Sequence, residues 1–455
     1  MSPRPTRSRH HLRTCDLARS HAGGLAVALF IALSVWPTPA TAKRSLSLAE
    51  AVALAHERHA EMKAAAVDVE LAGLDLLSAH LRRVRLTAEV AASEQQMSVS
   101  FPSETCASGT QTCGISGRQA SARGSAAIEV PIWTGLQITN GIARARLLRD
   151  AARSEAHGSA RALTLEVATT YWAVRRVELI AEATRQAVRD SEDLHEITRA
   201  RASAGLVPAV DGLRVQTHKA RQDAALAGLD ARATEARAQL ASAIQLREAI
   251  QLTSDPPPPT VLPALETLLS EARESRPELS ALRSRLRAQD MAIRSIYGAF
   301  SPEVSLKGQI DLQRGDPYLP GSVASAGVFL RWNILDSFNT VQDLRRAKLV
   351  QRRLSVSEER AVFDIETEVR TAHARHVGAL ADRAALVKAQ EAAAAAATLI
   401  RRRYNGGAAL LVEVTQAQAE LRQITLALID SRISLAQTAA AIAAAIGRAL
   451  VDVSQ

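Results

Sequence analysis

Apolar and polar residues follow two different periods along this chain. In four segments, each of about ten residues, apolar and polar positions alternate, so that each segment has one apolar and one polar face. Such segments are typical of transmembrane β-barrel strands, and half-buried hairpins of a soluble protein are the alternative. Trp133 and Trp332 stand near strand ends, where an aromatic membrane girdle would lie. The predicted strands are 86–99, which is the least regular, 124–132, 303–313 and 324–334.

Between the predicted strands, apolar residues recur with the helical period over much longer stretches. Residues 139–204 contain no Pro and only two Gly, which predicts one helix of roughly 100 Å at about 1.5 Å per residue. Return helices are predicted over 208–245 and 410–447. Helices this long without internal caps are typical of coiled coils. Because four strands cannot close a barrel, the pattern also predicts an oligomer.

The sequence contains two related halves. Residues 55–62 (AHERHAEM) match residues 272–279 (ARESRPEL) at an offset of 217. Residues 130–135 match residues 332–337 at an offset of 202, and this second offset persists without gaps as far as Ile244. We therefore predict two tandem structural repeats with the same order of helices and strands.

A proline-rich segment separates the two halves. Residues 256–259 are four consecutive prolines, which cannot continue a helix and favour an extended linker. The predicted domains are a first repeat over 43–253, a linker over 254–264 and a second repeat over 265–455.

The first 42 residues have the features of a secretory signal peptide. Five arginines precede an apolar stretch at 25–35, and the small-residue cleavage pattern Ala-Thr-Ala follows at 40–42. A short membrane anchor is the alternative, but the apolar run is too short for one. No Cys follows the apolar stretch, so a lipoprotein site is absent.

Composition excludes several classes of protein. Of the 455 residues 47% are apolar, which excludes disorder, but only 3% are aromatic, which is unlike a thick globular core. No apolar run reaches the length of a spanning helix, so a membrane crossing would require a closed β-barrel. The formal charge of +9 falls to +5 once the signal peptide is removed, and nucleic acid is not an expected partner.

Two cysteines remain in the chain after the predicted signal peptide. Cys106 and Cys113 lie in a Ser/Gly/Thr-rich stretch that is present only in the first repeat and that we interpret as a variable loop. In an oxidising compartment they are expected to form a local disulfide, and two free thiols are the alternative.

The sequence contains no pattern that predicts catalysis. It has no P-loop, no dinucleotide-binding glycine pattern and no nucleophile elbow, so we expect no enzymatic activity and no cofactor. Two pairs of histidines have i,i+3 spacing, but no carboxylate–histidine motif surrounds them. We interpret them as residues of solvated helix faces rather than as metal ligands; they are His56, His59, His373 and His376.

The duplicated order of elements, with its landmarks, resembles the TolC family of outer-membrane channel proteins. The resemblance covers nearly all of the chain after the signal peptide. Residues 131–135 (PIWTG) are similar to the family's strand end, and residues 205–211 and 407–413 are similar to its two hairpin tips. It implies a mixed α and β fold: a long α-helical coiled-coil barrel plus a transmembrane β-barrel to which each protomer of a homotrimer gives four strands.

The resemblance also implies a periplasmic gate. In the family's best-known member, a tyrosine before the second tip pairs with an aspartate after the first, and Tyr404 and Asp211 occupy those positions here. Ala409 replaces the family's tip arginine, so that part of the closure is missing. Glu413 and Gln416 occupy the positions of two inward-facing aspartates, and a ring of Glu413 carboxylates would favour cations. Solvated residues at a helix end are the alternative interpretation.

The same tips are expected to contact a periplasmic adaptor (membrane fusion) protein. A plain helix C-cap is the alternative role for the two tip glycines, and a tight tip serves both roles. The residues expected to make this contact are Gly205, Leu206, Gly407 and Ala408.

We therefore predict a passive exit duct of a tripartite export system, in the outer membrane of a Gram-negative bacterium, with a long periplasmic portion. The missing lipidation Cys favours type I protein secretion with an inner-membrane ABC transporter. Small-molecule or multidrug efflux with a proton-driven pump is the alternative. A periplasmic coiled-coil structural protein without a pore is a further alternative, against which the alternating strands argue.

Overall fold

The computed structural model describes residues 44–101, 113–258, 262–314, 321–334 and 338–448. All of them belong to one structural unit, Lys43–Gln455. The predicted signal peptide and Cys106 lie outside the described residues, so cleavage and the disulfide with Cys113 stay predictions.

The same series of elements occurs twice: two short helices, two strands, a very long helix and a return helix. The first series is α1 (Leu48–Arg58), α2 (Ala60–Leu81), β2 (Arg85–Phe101), β3 (Cys113–Trp133), α3 (Gln137–Ser203) and α4 (Ala209–Ala243). The second is α5 (Leu265–Ser275), α6 (Pro277–Gly298), β5 (Glu303–Arg314), β6 (Ser322–Arg331), α7 (Asn339–Asn405) and α8 (Leu411–Ile446). Two short strands, β1 (Arg44–Leu46) and β4 (Ile250–Leu252), precede and follow the first series.

The lengths of corresponding helices agree closely. The first series has helices of 11, 22, 67 and 35 residues, and the second has helices of 11, 22, 67 and 36. At about 1.5 Å per residue, α3 and α7 are each roughly 100 Å long. Neither contains a proline, so the backbone hydrogen-bond ladder continues without a break.

Two glycines allow a close approach where the long helix α3 begins. Gly135 has φ +60°, and a Cβ added at Gly298 would lie 2.2 Å from the Gly135 carbonyl oxygen. The joint between β3 and α3 therefore packs backbone to backbone against the joint between α6 and β5. A side chain on either glycine would separate the two joints.

The sheet has the order β2-β3-β5-β6, and all of its neighbouring strands are antiparallel. Its register brings the apolar positions of different strands onto one face, as in the row of Val130, Leu306 and Val328. The next row, with Glu129 opposite Lys307, lies on the other face. The alternation predicted from the sequence is therefore in register across the strands and gives the sheet a mainly apolar and a mainly polar face. There are exceptions, because Phe329 pairs with Ser305 on the polar face and Glu94 lies on the face of Val90.

A β-bulge decides the position of Trp133. Pro131 pairs with Ser305 on the polar face, but the register then shifts, and Trp133 pairs with Val304 on the apolar face. Trp332 follows β6 at the same end of the sheet, and its indole N–H donates to the Phe300 carbonyl at 3.1 Å. Both tryptophans are about half exposed (47% and 54%), on the side where the long helices begin.

The first short helices pack on α3 over a core centred on Tyr171. The Tyr171 hydroxyl donates to the Leu46 carbonyl (3.1 Å) and accepts from the Ser254 backbone N–H (2.9 Å). These bonds join α3 to the parallel pair β1–β4 and to the start of the proline-rich linker. A second core, formed by α5, α7 and α8, occupies the corresponding position in the second series.

A cluster of four charged residues joins three long segments of the chain. Arg276, between α5 and α6, is only 1% exposed and donates to Glu368 of α7, and it lies 3.7 Å from Glu278. Arg161 of α3 donates to Glu278 and lies 4.0 Å from Glu368. Two arginines and two glutamates thus compensate one another at this helix junction.

Helix α8 differs from the sequence prediction. Among the described helices it alone is long and apolar enough to cross a membrane by length and composition, whereas no such segment was expected. Much of α8 is buried against its neighbours, and a core helix has the same composition as a spanning one. This observation by itself therefore does not place α8 in a membrane.

Candidate functional site at the hairpin tips

Both helical hairpins end in the same backbone motif. The N–H groups of Gly205 and Leu206 donate back into the last turn of α3, at 3.0 and 2.9 Å. Those of Gly407 and Ala408 do the same in α7, at 2.9 and 2.8 Å. Both glycines have a left-handed backbone, with φ +73° and +79°. Each tip is therefore a Schellman turn in which glycine avoids the strain that a Cβ would introduce.

Tyr404 lies buried between the two hairpins just before the second tip. Its side chain is 1% exposed, and its hydroxyl lies 3.1 Å from the hydroxyl of Thr198 on α3, which is also buried. The phenol therefore joins α7 to α3 in a site closed to solvent, where an unpaired hydroxyl would be unfavourable. The apolar residues around it are Leu194, Val215, Leu411 and Val414.

Arg201 holds the same tyrosine from a second side. Its guanidinium lies 4.8 Å from the centroid of the Tyr404 ring and donates to the Tyr404 carbonyl. One turn away, Arg401 lies 3.4 Å from Asp193, again between α7 and α3. These contacts link the first and second hairpins of one protomer close to their tips.

The expected pairing of Tyr404 with Asp211 is not formed within the protomer. The Asp211 carboxylate lies 3.6 Å from Arg214 in the first turn of α4, and the phenol bonds to Thr198. An acidic residue in a first turn is stabilised by the helix dipole, which gives Asp211 a local role. Sequence reasoning missed Thr198 and Arg201, although a threonine at helical spacing within the apolar seam of α3 was a usable signal.

Glu413 also has a local partner. Its carboxylate accepts the backbone N–H of Leu410 at 3.2 Å, which caps the first turn of α8. Gln416, one turn further along the helix, is exposed. The structure thus places both residues on the first turns of α8, but it holds Glu413 in a cap rather than free.

Apolar side chains are unusually exposed at both tips. Leu206 is 68% exposed and Leu410 is 67% exposed. Leu213, Val210 and Val412 beside them are also exposed. The tips therefore combine a rigid backbone with an apolar surface, which is what a protein partner would contact.

Two of the four histidines hydrogen-bond to a neighbouring helix: His376, which is buried, and His56, which is exposed as predicted. His376 is 1% exposed and its Nδ1 lies 3.0 Å from the hydroxyl of Thr438, so the prediction of a solvated face is wrong there. The Nε2 of His56 lies 2.8 Å from the hydroxyl of Thr164. Both therefore join helices by hydrogen bonds.

Comparison with known proteins gives one matching family model and several similar solved structures. Residues 268–448 match the family model described as outer membrane efflux protein. The fold matches the outer-membrane channel OprN (19% identity, 89% of this chain and 90% of that chain, TM-score 0.72). It also matches VceC of Vibrio cholerae (17%, 89% and 96%, 0.71) and the open state of the Neisseria gonorrhoeae channel MtrE (18%, 90% and 90%, 0.72). No curated protein sequence matches at a significant level.

The fold is that of the TolC-type outer-membrane channels with which the chain was compared. Its second half carries the outer membrane efflux protein domain, so the resemblance and the outer-membrane localisation predicted from the sequence are confirmed. The matched family is one of channels rather than of enzymes.

Proposed function

We propose that this chain is the outer-membrane exit duct of a tripartite export system and that it works as a homotrimer. The main support for the proposal is that the protomer has two open edges, one at β2 and α2 and the other at β6 and α7, and that the charges of the two helices are complementary.

The sheet has two open edges, since β2 and β6 each have one hydrogen-bonded neighbour in the described chain. Open edges of long strands expose unpaired backbone groups. Pairing β6 of one protomer with β2 of the next closes the sheets into a barrel without edges. The apolar face would then meet lipid, with Trp133 and Trp332 in the girdle at its lower rim.

The helical layer has open edges on the same two sides. α2 leads into the edge strand β2, and α7 follows the edge strand β6. Each of these helices exposes an apolar stripe at coiled-coil spacing, which would become buried between protomers. The stripe of α2 is Val67, Leu71, Leu74, Leu77 and Leu81, and that of α7 is Leu349, Val356 and Phe363.

The charges of the two helical edges are complementary. α2 is predominantly acidic, and the first turns of α7 are predominantly basic. A head-to-tail contact between them would therefore be attractive, and it would close into a ring. The acidic residues of α2 are Glu61, Asp68, Glu70 and Asp75; the basic residues of α7 are Arg345, Arg346, Lys348, Arg352 and Arg353.

We assign the chain two structural repeats, 43–253 and 265–455, joined by the linker 254–264. The matching helix lengths of the two halves support this division. Three protomers with two hairpins each would then form a tunnel of near-sixfold symmetry continuous with the barrel.

The tips supply the gate and the partner surface. Tyr404, Asp211, Glu413 and Gln416 lie where the tunnel would narrow, and the Tyr404–Thr198 contact would oppose movement of the second hairpin. The exposed apolar tips, including Gly205, Leu206, Gly407 and Ala408, fit a periplasmic adaptor (membrane fusion) protein. An inner-membrane pump would supply the energy.

Two classes of cargo are supported by different observations. The description of the matched family favours small-molecule efflux with a proton-driven pump. The missing lipidation Cys favours type I protein secretion with an ABC transporter. A deletion strain that becomes drug-sensitive while its secreted proteins are unchanged would decide for efflux, and the reverse result would decide for secretion.

The test of the duct itself is conductance in a planar bilayer. We expect the purified full-length protein to run as a trimer and to give discrete channels. A monomer without conductance would support the alternative of a periplasmic coiled-coil structural protein and would contradict the proposal.

A further inference from the structure

A small cavity of about 180 Å³, lined by polar and apolar side chains, lies between the two hairpins at a distance from their tips. Ser191 comes from α3, His218 and Gln222 from α4, and Gln418 and Arg422 from α8. Ser191 is 14 residues before Gly205, which places the cavity about 20 Å from the tip. The first hairpin therefore contacts α8 here through polar groups, whereas apolar side chains make the contact at Tyr404.

A chain of hydrogen bonds connects Ser191, Gln222 and His218. Ser191 donates its hydroxyl to Gln222 Oε1 at 3.1 Å, and Gln222 Nε2 lies 3.2 Å from His218 Nδ1. Ser191 and Gln222 are buried. The Ser191 hydroxyl also lies 3.5 Å from His218 Nδ1. With the Gln222 amide in this orientation its Nε2 donates and His218 Nδ1 accepts, so the hydrogen bonds fit a neutral imidazole.

The charges around His218 also oppose its protonation. Arg422 approaches from α8 and Arg221 belongs to the same helix, and burial followed by these two cations lowers the pKa of His218. On α3 the carboxylate of Asp190 lines the cavity, but it accepts from Gln186 at 3.0 Å.

A second carboxylate beside the cavity is also engaged. Glu192 of α3 pairs with Lys219 of α4 at 2.7 Å. The nearest carboxylates on α3 are thus held by other groups, and α8 presents a cation to the ring.

We propose that this cavity is an acid-sensitive seam between the two hairpins, in which protonation of His218 loosens the contact of α3 and α4 with α8. A protonated ring would present a donor to the Gln222 amide and a positive charge to Arg422. Because the closed seam prefers neutral His218, its stability is complete above about pH 6.5 and decreases as the pH falls through the lowered pKa. The consequence that mild acid favours an open tunnel rests on the proposed function; the loosening itself does not.

Hydrogen–deuterium exchange of the purified full-length protein tests the seam directly. The readout is the protection factor of peptides covering 186–195, 215–225 and 415–425 at pH 7.5 and 5.5, corrected for the pH dependence of intrinsic exchange. For the wild type we expect protection to fall by up to about tenfold at the lower pH, the limit set by a histidine whose pKa is ordinary once the seam opens.

Three variants give the proposal its specificity. His218→Gln keeps a neutral hydrogen-bonding side chain and should remove the pH response, and Arg422→Gln should reduce it. His157→Gln, at an exposed histidine of α3 remote from the cavity, should leave it unchanged. A pH-independent wild type, or an undiminished response in His218→Gln, would overturn the proposal.

Conductance measurements distinguish failure of the seam proposal from failure of the proposed duct function. A channel whose opening does not change between pH 7.5 and 5.5, while exchange of the seam does, would leave the seam intact and remove its link to opening. Absence of conductance at both pH values would contradict the proposed duct function and would leave the seam proposal unaffected.

Discussion

The buried hydroxyl of Tyr404 contacts the hydroxyl of Thr198 and so connects the two hairpins of a protomer. Such a bond contributes modestly when it is intact, but breaking it leaves a buried polar group without a partner. The stability of this tip therefore depends on a pair of side chains, one from each hairpin.

We expect Tyr404→Phe to weaken the closed tip by about 1–2 kcal/mol and to increase the open probability in a planar bilayer. The double variant Thr198→Val/Tyr404→Phe removes both hydroxyls and should recover much of the lost stability. If the double variant opens more readily than the single one, the hydrogen bond is not what opposes opening.

At Gly298 the constraint on a single residue is steric, because there is no room for a side chain. A methyl group there would meet the backbone of Gly135, so we expect Gly298→Ala to destabilise the protein by about 3 kcal/mol or more. The melting temperature of the purified protein measures this effect.

The matched control for Gly298 is Gly141→Ala, in α3. A Cβ at Gly141 would meet nothing within 4 Å, and alanine is the better helix former, so this variant should gain up to about 1 kcal/mol. Equal behaviour of the two variants would contradict the steric argument.

At the scale of elements, the junction of α3, α6 and α7 depends on compensated charge. Burial raises the pKa of Glu278. Its own backbone N–H and the guanidinium groups of Arg161 and Arg276 lower that pKa by more, so the net pKa is below the ordinary 4.5. A carboxylate with a lowered pKa stabilises the fold above its unfolded pKa, and this contribution is lost as the pH falls through the folded value.

We therefore expect the melting temperature of the wild type to fall as the pH decreases below about 4.5. Glu278→Gln should have a lower melting temperature at neutral pH, because Arg276 stays buried with one partner fewer. Its melting temperature should also fall less on acidification than that of the wild type. Glu274→Gln, at an exposed glutamate of α5, is the control and should follow the wild type. A variant Glu278→Gln with the wild-type acid dependence would show that other carboxylates dominate.

At the scale of the whole molecule, the proposed trimer depends on the edges α2 and α7. Phe363 is 71% exposed at the end of the apolar stripe of α7, and Phe363→Asp would place a charge against the acidic α2 of the next protomer. We expect this variant to run as a monomer when its mass is measured by light scattering, with its helical circular dichroism unchanged.

The control for the edge is Leu206→Glu, which changes an equally exposed apolar residue at the tip. It should remain a trimer but bind a purified adaptor at least about tenfold more weakly, because it places a charge in the proposed contact surface. A trimer that survives Phe363→Asp, or is lost in Leu206→Glu, would contradict the assignment of these surfaces.

The sequence by itself determined the elements. Alternation over 303–313 and 324–334 and the absence of proline in 139–204 follow from local backbone rules, and the structure has these elements at nearly the predicted bounds. Gly205 and Gly407 were likewise predictable as tip residues, because a left-handed turn strains other side chains. Local constraints of this kind can be read from a single segment of chain.

Only the tertiary structure decided which side chains meet. The partner of Tyr404 is Thr198, 206 residues away, and Arg276 pairs with Glu368, 92 residues away. A bulge that no residue pattern indicated turns Trp133 onto the apolar face. Periodicity states which side of a helix or strand is apolar, but the pairing of two such sides depends on the packing of segments that are distant in sequence.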